Sequence, residues 1–336
     1  MFKLLKVFLA LVVAGIVLVG GVLWWYINDY ALPFPKEEKI VVLNVNSGDT
    51  IRKIISNIQA LGIDINPTFA VALFRVMNVD RNIHTGRYEL KQGWSLRQLV
   101  DCLSSGQVMT SKITLVEGMT TGQLIQVLQN TSDLNSVSKT LSSDEINAVI
   151  GAPEGTYLEG WIAPDTYTFS VGIKDTEILK QAYTQQKKRL ETVWNNRDSG
   201  LTLKTPYELL ILASLIEKET GSEQDRKLVS SVFHNRLARG MLLQTDPSVI
   251  YGIKDFKGVI LRSHLKKDTP YNTYTRVGLP PTPIANPSLK SLEAAAHPDE
   301  TDYLYFVAKG QGQSHFSKSL REHNVAVQKY LRNRGK

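Results

Sequence analysis

The residues most able to do chemistry close the stretch Thr205-Pro206-Tyr207-Glu208-Leu209-Leu210-Ile211-Leu212-Ala213-Ser214-Leu215-Ile216-Glu217-Lys218-Glu219-Thr220-Gly221. Glu219 falls four residues after Leu215, three after Ile216 and seven after Leu212, so on a helix it extends an apolar stripe. Glu217 stands about 160° round the same helix, above Ala213 and Ser214. A carboxyl among apolar neighbours is disfavoured as the anion, which raises its pKa. A carboxyl that keeps its proton near neutral pH can act as a general acid. Alternatively, Glu219 is a solvated last turn, or is paired with a nearby arginine.

Other chemistries lack their usual groups. There is no HExxH, no Gly-rich phosphate loop and no GxSxG, and the six histidines are scattered. Neither a cofactor nor a metal is expected, and His234, inside a helical pattern, reads as structural. The single cysteine, Cys102, excludes an internal disulfide framework and reads as a small core residue. The net charge of +7 is dispersed, without a basic run interleaved by aromatics, so no nucleic-acid partner is expected. Mild positive charge suits work near anionic lipid or an anionic polymer, and equally an ordinary solvated surface.

What remains beside Glu219 is a set of polar and aromatic clusters: Leu243-Gln244-Thr245-Asp246-Pro247, Tyr271-Asn272-Thr273-Tyr274 and Gln313-Ser314-His315-Phe316-Ser317. Neutral hydrogen-bonding side chains among aromatics suit carbohydrate. Each cluster alone is also ordinary turn and cap chemistry. Most glycosidases use two carboxylates. Here no second acid stands out, although Glu159, Asp165 and Asp246 are available. One carboxyl suffices if the substrate supplies its own nucleophile. In a peptidoglycan strand the muramic acid C6 hydroxyl can attack its own anomeric carbon, with the advantage of proximity.

The helix that positions Glu219 is marked at both ends. Thr205 can cap it, Pro206 suits its first turn, Glu208 completes a capping box and Gly221 is the expected stop. Its nearly continuous apolar content predicts burial on all sides. Downstream, Ser222 with Asp225 caps a helix to Arg239, and Asp246-Pro247 caps and starts a short one through Tyr251. Residues 271–287 form an irregular Pro-rich stretch. Asn286-Pro287 starts a helix through Ala296, Asp302 to Ala308 is a strand, and His323 to Leu331 a last helix. Upstream, Thr176 to Trp194 is a charged amphipathic helix. Residues 129–153 are a loop with a weak helix. The segment Tyr157–Tyr167 is an aromatic-rich surface loop whose Trp161 belongs in the core.

Val7 to Ile27 carries no charged residue and is long enough to span a bilayer. Lys3 and Lys6 precede it, which places residues 1–6 in the cytoplasm and the remainder outside. Trp24, Trp25, Tyr26 and Tyr30 sit where an outer aromatic belt belongs. A cleaved signal peptide is the rival reading, but no small-x-small site follows the apolar run. Residues 28–39, with Pro33 and Pro35, read as a linker. Three units then share a pattern of strand, Gly-x-Ser/Thr turn and short helix: Gly48-Asp49-Thr50, Gly93-Trp94-Ser95 and Gly118-Met119-Thr120. Apolar residues fall six, seven and ten after each glycine. Val45-Asn46-Ser47-Gly48-Asp49-Thr50-Ile51 resembles the turn of the LysM-type glycan-binding module, and the resemblance covers residues 40–106.

Taken together, further segments resemble the YceG-like family of endolytic murein transglycosylases. They are Ala213-Ser214-Leu215-Ile216-Glu217-Lys218-Glu219-Thr220, Ser231-Val232-Phe233-His234-Asn235-Arg236-Leu237, Leu243-Gln244-Thr245-Asp246-Pro247-Ser248-Val249-Ile250-Tyr251-Gly252, Tyr271-Asn272-Thr273-Tyr274, Gly278-Leu279-Pro280-Pro281, Ala294-Ala295-Ala296-His297-Pro298 and Tyr303-Leu304-Tyr305-Phe306-Val307. The resemblance implies an α+β protein with a single N-terminal transmembrane helix, a small LysM-like α+β module and a mainly helical α+β lytic-transglycosylase domain over residues 107–336. It implies a single-pass enzyme of the inner (cytoplasmic) membrane that cuts nascent peptidoglycan glycan strands beside penicillin-binding protein synthases, leaving 1,6-anhydro-muramic acid ends. The family's catalytic Glu maps to Glu219. Glu219-Thr220 resembles the Glu-Ser pair of other lytic transglycosylases, and Gln244 their Gly-Leu-Met-Gln glutamine. Gln244, Tyr271, Asn272, Tyr274, Ser314 and His315 are then the expected substrate-binding residues, although the family often has Gly before the histidine. Two alternatives stay open: a hydrolytic muramidase with Asp246 as base, and a non-catalytic glycan-binding scaffold.

Overall fold

The computed structural model describes residues 2–35, 38–46, 48–79, 83–310 and 312–333. Ser47 of the first Gly turn and Lys36 and Glu37 of the linker therefore lie outside the described residues. Two compact units emerge, residues 1–111 with 168–173, and residues 112–167 with 174–336.

The first unit opens with helix α1 (Phe2–Asn28), which is long and apolar enough to cross a membrane. Strand β1 (Ile40–Val45), helices α2 (Ile51–Ala60) and α3 (Pro67–Val76) and strand β2 (Gly86–Lys91) follow, then α4 (Leu96–Ser104). β1 and β2 pair antiparallel, with Leu43 opposite Tyr88. The alternating burial of β1 turns Val41, Leu43 and Val45 inward. They meet Ile54, Ile55 and Ile58 of α2 and Leu99 and Leu103 of α4 in one apolar core. The repeated Gly turns hold as read. Gly48, Gly93 and Gly118 all have positive φ, which favours glycine, and Thr50, Ser95 and Thr120 each cap the following helix.

The chain passes into the second unit along β3 (Thr110–Leu115), whose partner is β4 (Asp165–Ser170). Between them lie α5 (Thr121–Gln129), a 3₁₀ turn (Val137–Thr140) and α6 (Ser143–Ile150). α6 carries a full capping box from Ser142 and Glu145, so residues 129–153 are more ordered than their polar composition predicts. α7 (Asp175–Asn195), α8 (Pro206–Glu219), α9 (Glu223–Ala238), α10 (Asp246–Tyr251), α11 (Arg262–Lys266) and α12 (Leu289–Ala296) come next. The antiparallel hairpin β5 (Tyr305–Gly310) and β6 (Gln313–Ser317) and helix α13 (Leu320–Asn333) complete the unit. The described strands pair in twos apart from the helices, an α+β arrangement.

α8 is the spine of this unit. Leu209 to Ile216 are all buried, against α7, α9 and α12. Thr205 accepts from the Glu208 amide as expected, but the Glu208 carboxylate bonds Lys204 N, leaving the box half made. The helix ends at Glu219. Thr220 is already extended, and Gly221 does not take the left-handed stop predicted for it. Trp161, expected in the core, is partly buried at its margin, where it packs against Tyr207 and Tyr183.

Three boundaries move. β5 starts at Tyr305 rather than Asp302, and α13 at Leu320 rather than His323. The helix expected from Asn286-Pro287 begins at Leu289, capped by Ser288. Asn286 has other work, being fully buried (0% exposed). Its amide oxygen accepts from Ile162 N, and its amide nitrogen donates to Met119 O, Thr121 Oγ1 and Glu159 Oε1. One side chain thereby fastens two distant segments, 119–121 and 159–162, to its own. Glu159 takes further bonds from Thr121 N and Tyr251 OH.

Candidate active site

Glu219 is the last helical residue of α8, half-buried. It lines a cavity of about 370 Å³ with Arg236, Leu243, Gln244, Asp246, Tyr274, Tyr305, Phe306, Leu320 and His323. Glu217, on the opposite side, is spent on structure. Its Oε2 accepts from Ser288 N and Oγ, and its Oε1 lies 4.0 Å from Arg226 Nη2. The two carboxyls of the Glu-Lys-Glu pair are thus separated by environment, one satisfied and one facing a cavity.

Each element contributes for a local reason. α9 carries Val229, Phe233 and Arg236 on one face, and so delivers Arg236 into the interior (7% exposed). Its guanidinium donates through Nε to Leu304 O (2.7 Å) and through Nη1 to Leu242 O, Leu243 O and Gln244 Oε1. No carboxylate lies within 4.0 Å of it among the described residues. Gln244 has φ +52°, a left-handed conformation that costs a non-glycine residue about 1–2 kcal/mol. Thr273 holds it there, its carbonyl accepting from Gln244 N and its hydroxyl from Thr245 N. Asp246 is the first helical residue of α10 rather than its cap, which falls on Thr245 without a side-chain bond, because the Asp246 carboxylate is turned to Tyr274, whose OH it accepts from at 2.6 Å. β5 supplies Tyr305 and Phe306, and α13 supplies His323, stacked on Tyr305.

The electrostatics follow from burial. Removal from water pushes the Glu219 carboxyl up from 4.5 to about 7, and the Asp246 charge adds to the rise. The Thr245 hydroxyl and the Arg236 guanidinium pull the other way. In the resting geometry Thr245 Oγ1 is buried without a hydrogen-bond partner, so its effect on Glu219 is that of a nearby dipole rather than a formed bond. Burial lowers the pKa of His323, and Arg236 and His315 add to the drop; its Nδ1 is also buried and unpartnered. The cavity therefore pairs a proton-holding carboxyl with a fixed cation, while two nearby buried atoms, Thr245 Oγ1 and His323 Nδ1, have no hydrogen-bond partner. It can protonate a leaving oxygen and stabilise the carboxylate that results.

Of the residues singled out in the sequence, Glu219, Gln244 and Tyr274 meet in this cavity, as does Asp246. Asn272 lies beneath it, fully buried. Its amide nitrogen ties down the carbonyls of His264, Leu265 and Lys267, while its oxygen accepts from Tyr274 N. Tyr271 bonds Thr282 and packs edge-on against Tyr251. Ser314 N donates to Asp225, and His315 lines a separate cavity with Tyr330 and Lys329. These four do not line the Glu219 cavity. Asp165 is paired at the surface with Arg189 (2.6 Å), and Glu159 is committed to the Asn286 junction. Arg236, Tyr305, Phe306 and His323 were not among the expected site residues.

The chain belongs to the YceG-like family, which it matches over residues 43–329. It is 34% identical to an endolytic murein transglycosylase of Bacillus subtilis, over 94% of this chain and 91% of that protein. It is 26% identical to one from Streptococcus pneumoniae, over 97% of this chain and 64% of that one. A yceG-like protein from Listeria monocytogenes superposes with a TM-score of 0.54 at 30% identity, covering 85% of this chain and 98% of the other.

Proposed function

We propose that this chain is an endolytic lytic transglycosylase of murein, with Glu219 as its single catalytic carboxyl. It cleaves the β-1,4 bond from N-acetylmuramic acid to N-acetylglucosamine within a strand. The observation that carries the reading is a carboxyl held near its midpoint at neutral pH, in a cavity it shares with one cation, Arg236, a second carboxyl, Asp246, an amide and aromatic faces. The names of the relatives support the same activity.

In the first step Glu219 gives its proton to the glycosidic oxygen as that bond breaks. The C6 hydroxyl of the same muramic acid then bonds to its anomeric carbon, and the Glu219 carboxylate takes the hydroxyl proton. The enzyme returns to its starting state, no water is consumed, and the product carries a 1,6-anhydro ring. Arg236 faces the transient carboxylate. Gln244 and Tyr274 bond sugar, and Tyr305 and Phe306 offer ring faces.

α1 anchors the protein in the cytoplasmic membrane, with Lys3 and Lys6 on the inner side. Residues 40–106 act as a LysM-like module. The order β1-α2-α3-β2 with antiparallel strands supports this. Residues 107–336 cut nascent strands beside the penicillin-binding protein synthases that extend them.

The presence of Asp246 in the same cavity favours one rival, hydrolysis with Asp246 as base. Product masses separate the two. Full-length protein in detergent, incubated with uncrosslinked glycan strands, should release anhydro-muramic ends, whereas hydrolysis gives reducing ends one water heavier. Glu219→Gln should abolish release with the fold retained. Release at the wild-type rate from that variant would remove Glu219 from the mechanism.

A further inference from the structure

Two observations in the first unit bear on how it meets the membrane. The first is the manner in which α1 ends. Leu23, Tyr26, Ile27 and Tyr30, spaced as one helical face, are partly buried. Tyr26 packs on the module core, stacks on Tyr30 (5.3 Å) and meets the ring of Phe69 on α3 at 5.9 Å. Leu32 N bonds Trp94 O, directly before α4. The module therefore grips the last two turns of the apolar helix. Val7 to Ile27 measures about 31 Å as a helix, close to the roughly 30 Å of a bilayer core, which leaves no free stalk between membrane and module. From Leu23 to Ile27 is about 6 Å of helix rise, so whatever packs on those residues lies at the outer interface.

The second observation is α3 itself. Its ten residues are mostly apolar, and one face is not covered by protein. Phe69 (45% exposed), Ala72 and Val76 (80% exposed) follow at spacings of three and four, with Leu73 half-buried between them and Arg75 beside Val76. Phe69, at one end of this stripe, is the residue that touches Tyr26. Exposed apolar side chains thus stand on both sides of the Tyr26–Phe69 contact: Trp24 and Trp25 on α1, and Val76 with Phe69 itself on α3. Alongside it, Arg52 and Arg75 line a groove between α2 and α3, offering positive charge where headgroup phosphates would lie.

We propose that α3 is an interfacial helix, lying along the outer face of the bilayer that α1 crosses, with Phe69, Ala72 and Val76 seated among lipid headgroups and upper acyl chains. The depth fits, since such helices bury about 5–10 Å into the interface. The anchor is then a two-point attachment, which fixes the height and tilt of the module rather than tethering it loosely.

This inference rests on the reading of α1 as a membrane span, and the experiment keeps the two apart. In the full chain with Cys102→Ala, single cysteines at Val13, Phe69 or Val76 carry an environment-sensitive fluorophore. The protein is reconstituted into phosphatidylcholine–phosphatidylglycerol vesicles, with or without brominated acyl chains. Emission should be lost to bromolipid at all three positions. Loss at Val13 with full emission at Phe69 and Val76 overturns the proposal and leaves the anchor standing. No loss at Val13 overturns the anchor and the proposal with it. Copper-catalysed crosslinking of Val76→Cys into a dimer in the vesicles, with emission kept, assigns the stripe to a second copy instead. Val76→Glu, at an exposed position, should keep its detergent melting temperature while relieving the quenching at Phe69.

Discussion

The raised pKa of Glu219 makes a quantitative claim about stability as well as catalysis. A carboxyl at 4.5 when unfolded and about 7 when folded makes the native state hold a proton that the unfolded chain has released. Stability from this group is complete below about pH 4.5 and is lost as pH rises through about 7. At about 1.36 kcal/mol per unit of pKa, the loss by pH 8 is roughly 3 kcal/mol. Glu219→Gln keeps the size and removes the titration. Its advantage over the wild type should be small at pH 4.5 and should widen by roughly 3 kcal/mol towards pH 8. In a unit of this size that is on the order of 6–12 °C in melting temperature. Differential scanning fluorimetry of both full-length proteins in detergent, between pH 4.5 and 8.5, measures it. Titrating groups that do not interact with Glu219 cancel in the difference. A gap that stays constant across that range would show a solvated, ordinary carboxyl and refute the argument.

Further outcomes follow from the same cavity. Arg236→Lys should keep the alkaline limb of the activity profile near its wild-type position. Arg236→Met should move it upward, because the cation that favours the carboxylate is gone, and should also destabilise by a few kcal/mol through the carbonyls of Leu242, Leu243 and Leu304 left unpaired. Asp246→Asn should move the same limb downward while anhydro products persist; a switch in product type or their disappearance would assign Asp246 a chemical role. Gln244→Gly should raise stability by up to about 1–2 kcal/mol through relief of the left-handed backbone and yet lower kcat/KM, which separates the backbone strain from the work of the amide.

Where a signal is local, the sequence carried it. The Thr205 cap, the Gly turns before Thr50, Ser95 and Thr120, and the start of α10 at Asp246 all depend on neighbours within four residues. Glu219 was legible because it breaks an apolar stripe. Arg236 carries the same signature, lying seven, four and three residues after Val229, Val232 and Phe233, and the arithmetic applied to α8 would have found it on α9. Tyr305, Phe306 and His323 carry no such mark, since only the folding of β5 onto α9 and of α13 onto β5 brings them to the cavity. Asn272 and Asn286 show the converse. Their polar side chains next to Tyr and Pro read as ligand contact and helix start, whereas Asn272 is consumed by carbonyls five to eight residues before it and Asn286 by groups more than a hundred residues away. Motif spacing cannot tell an asparagine that binds sugar from one that binds carbonyls.

The Asn286 junction sets the smallest piece of this protein worth producing. The side chains lining the Glu219 cavity all fall between Glu219 and His323, and a cloning boundary just ahead of Thr205 looks natural. Such a fragment would lack Met119, Thr121, Glu159 and Ile162, leaving an amide with no partners in what had been dry interior. A soluble catalytic piece must therefore reach back to the start of β3, and libraries that trim the N-terminal side should show a cliff there rather than a gradual decline.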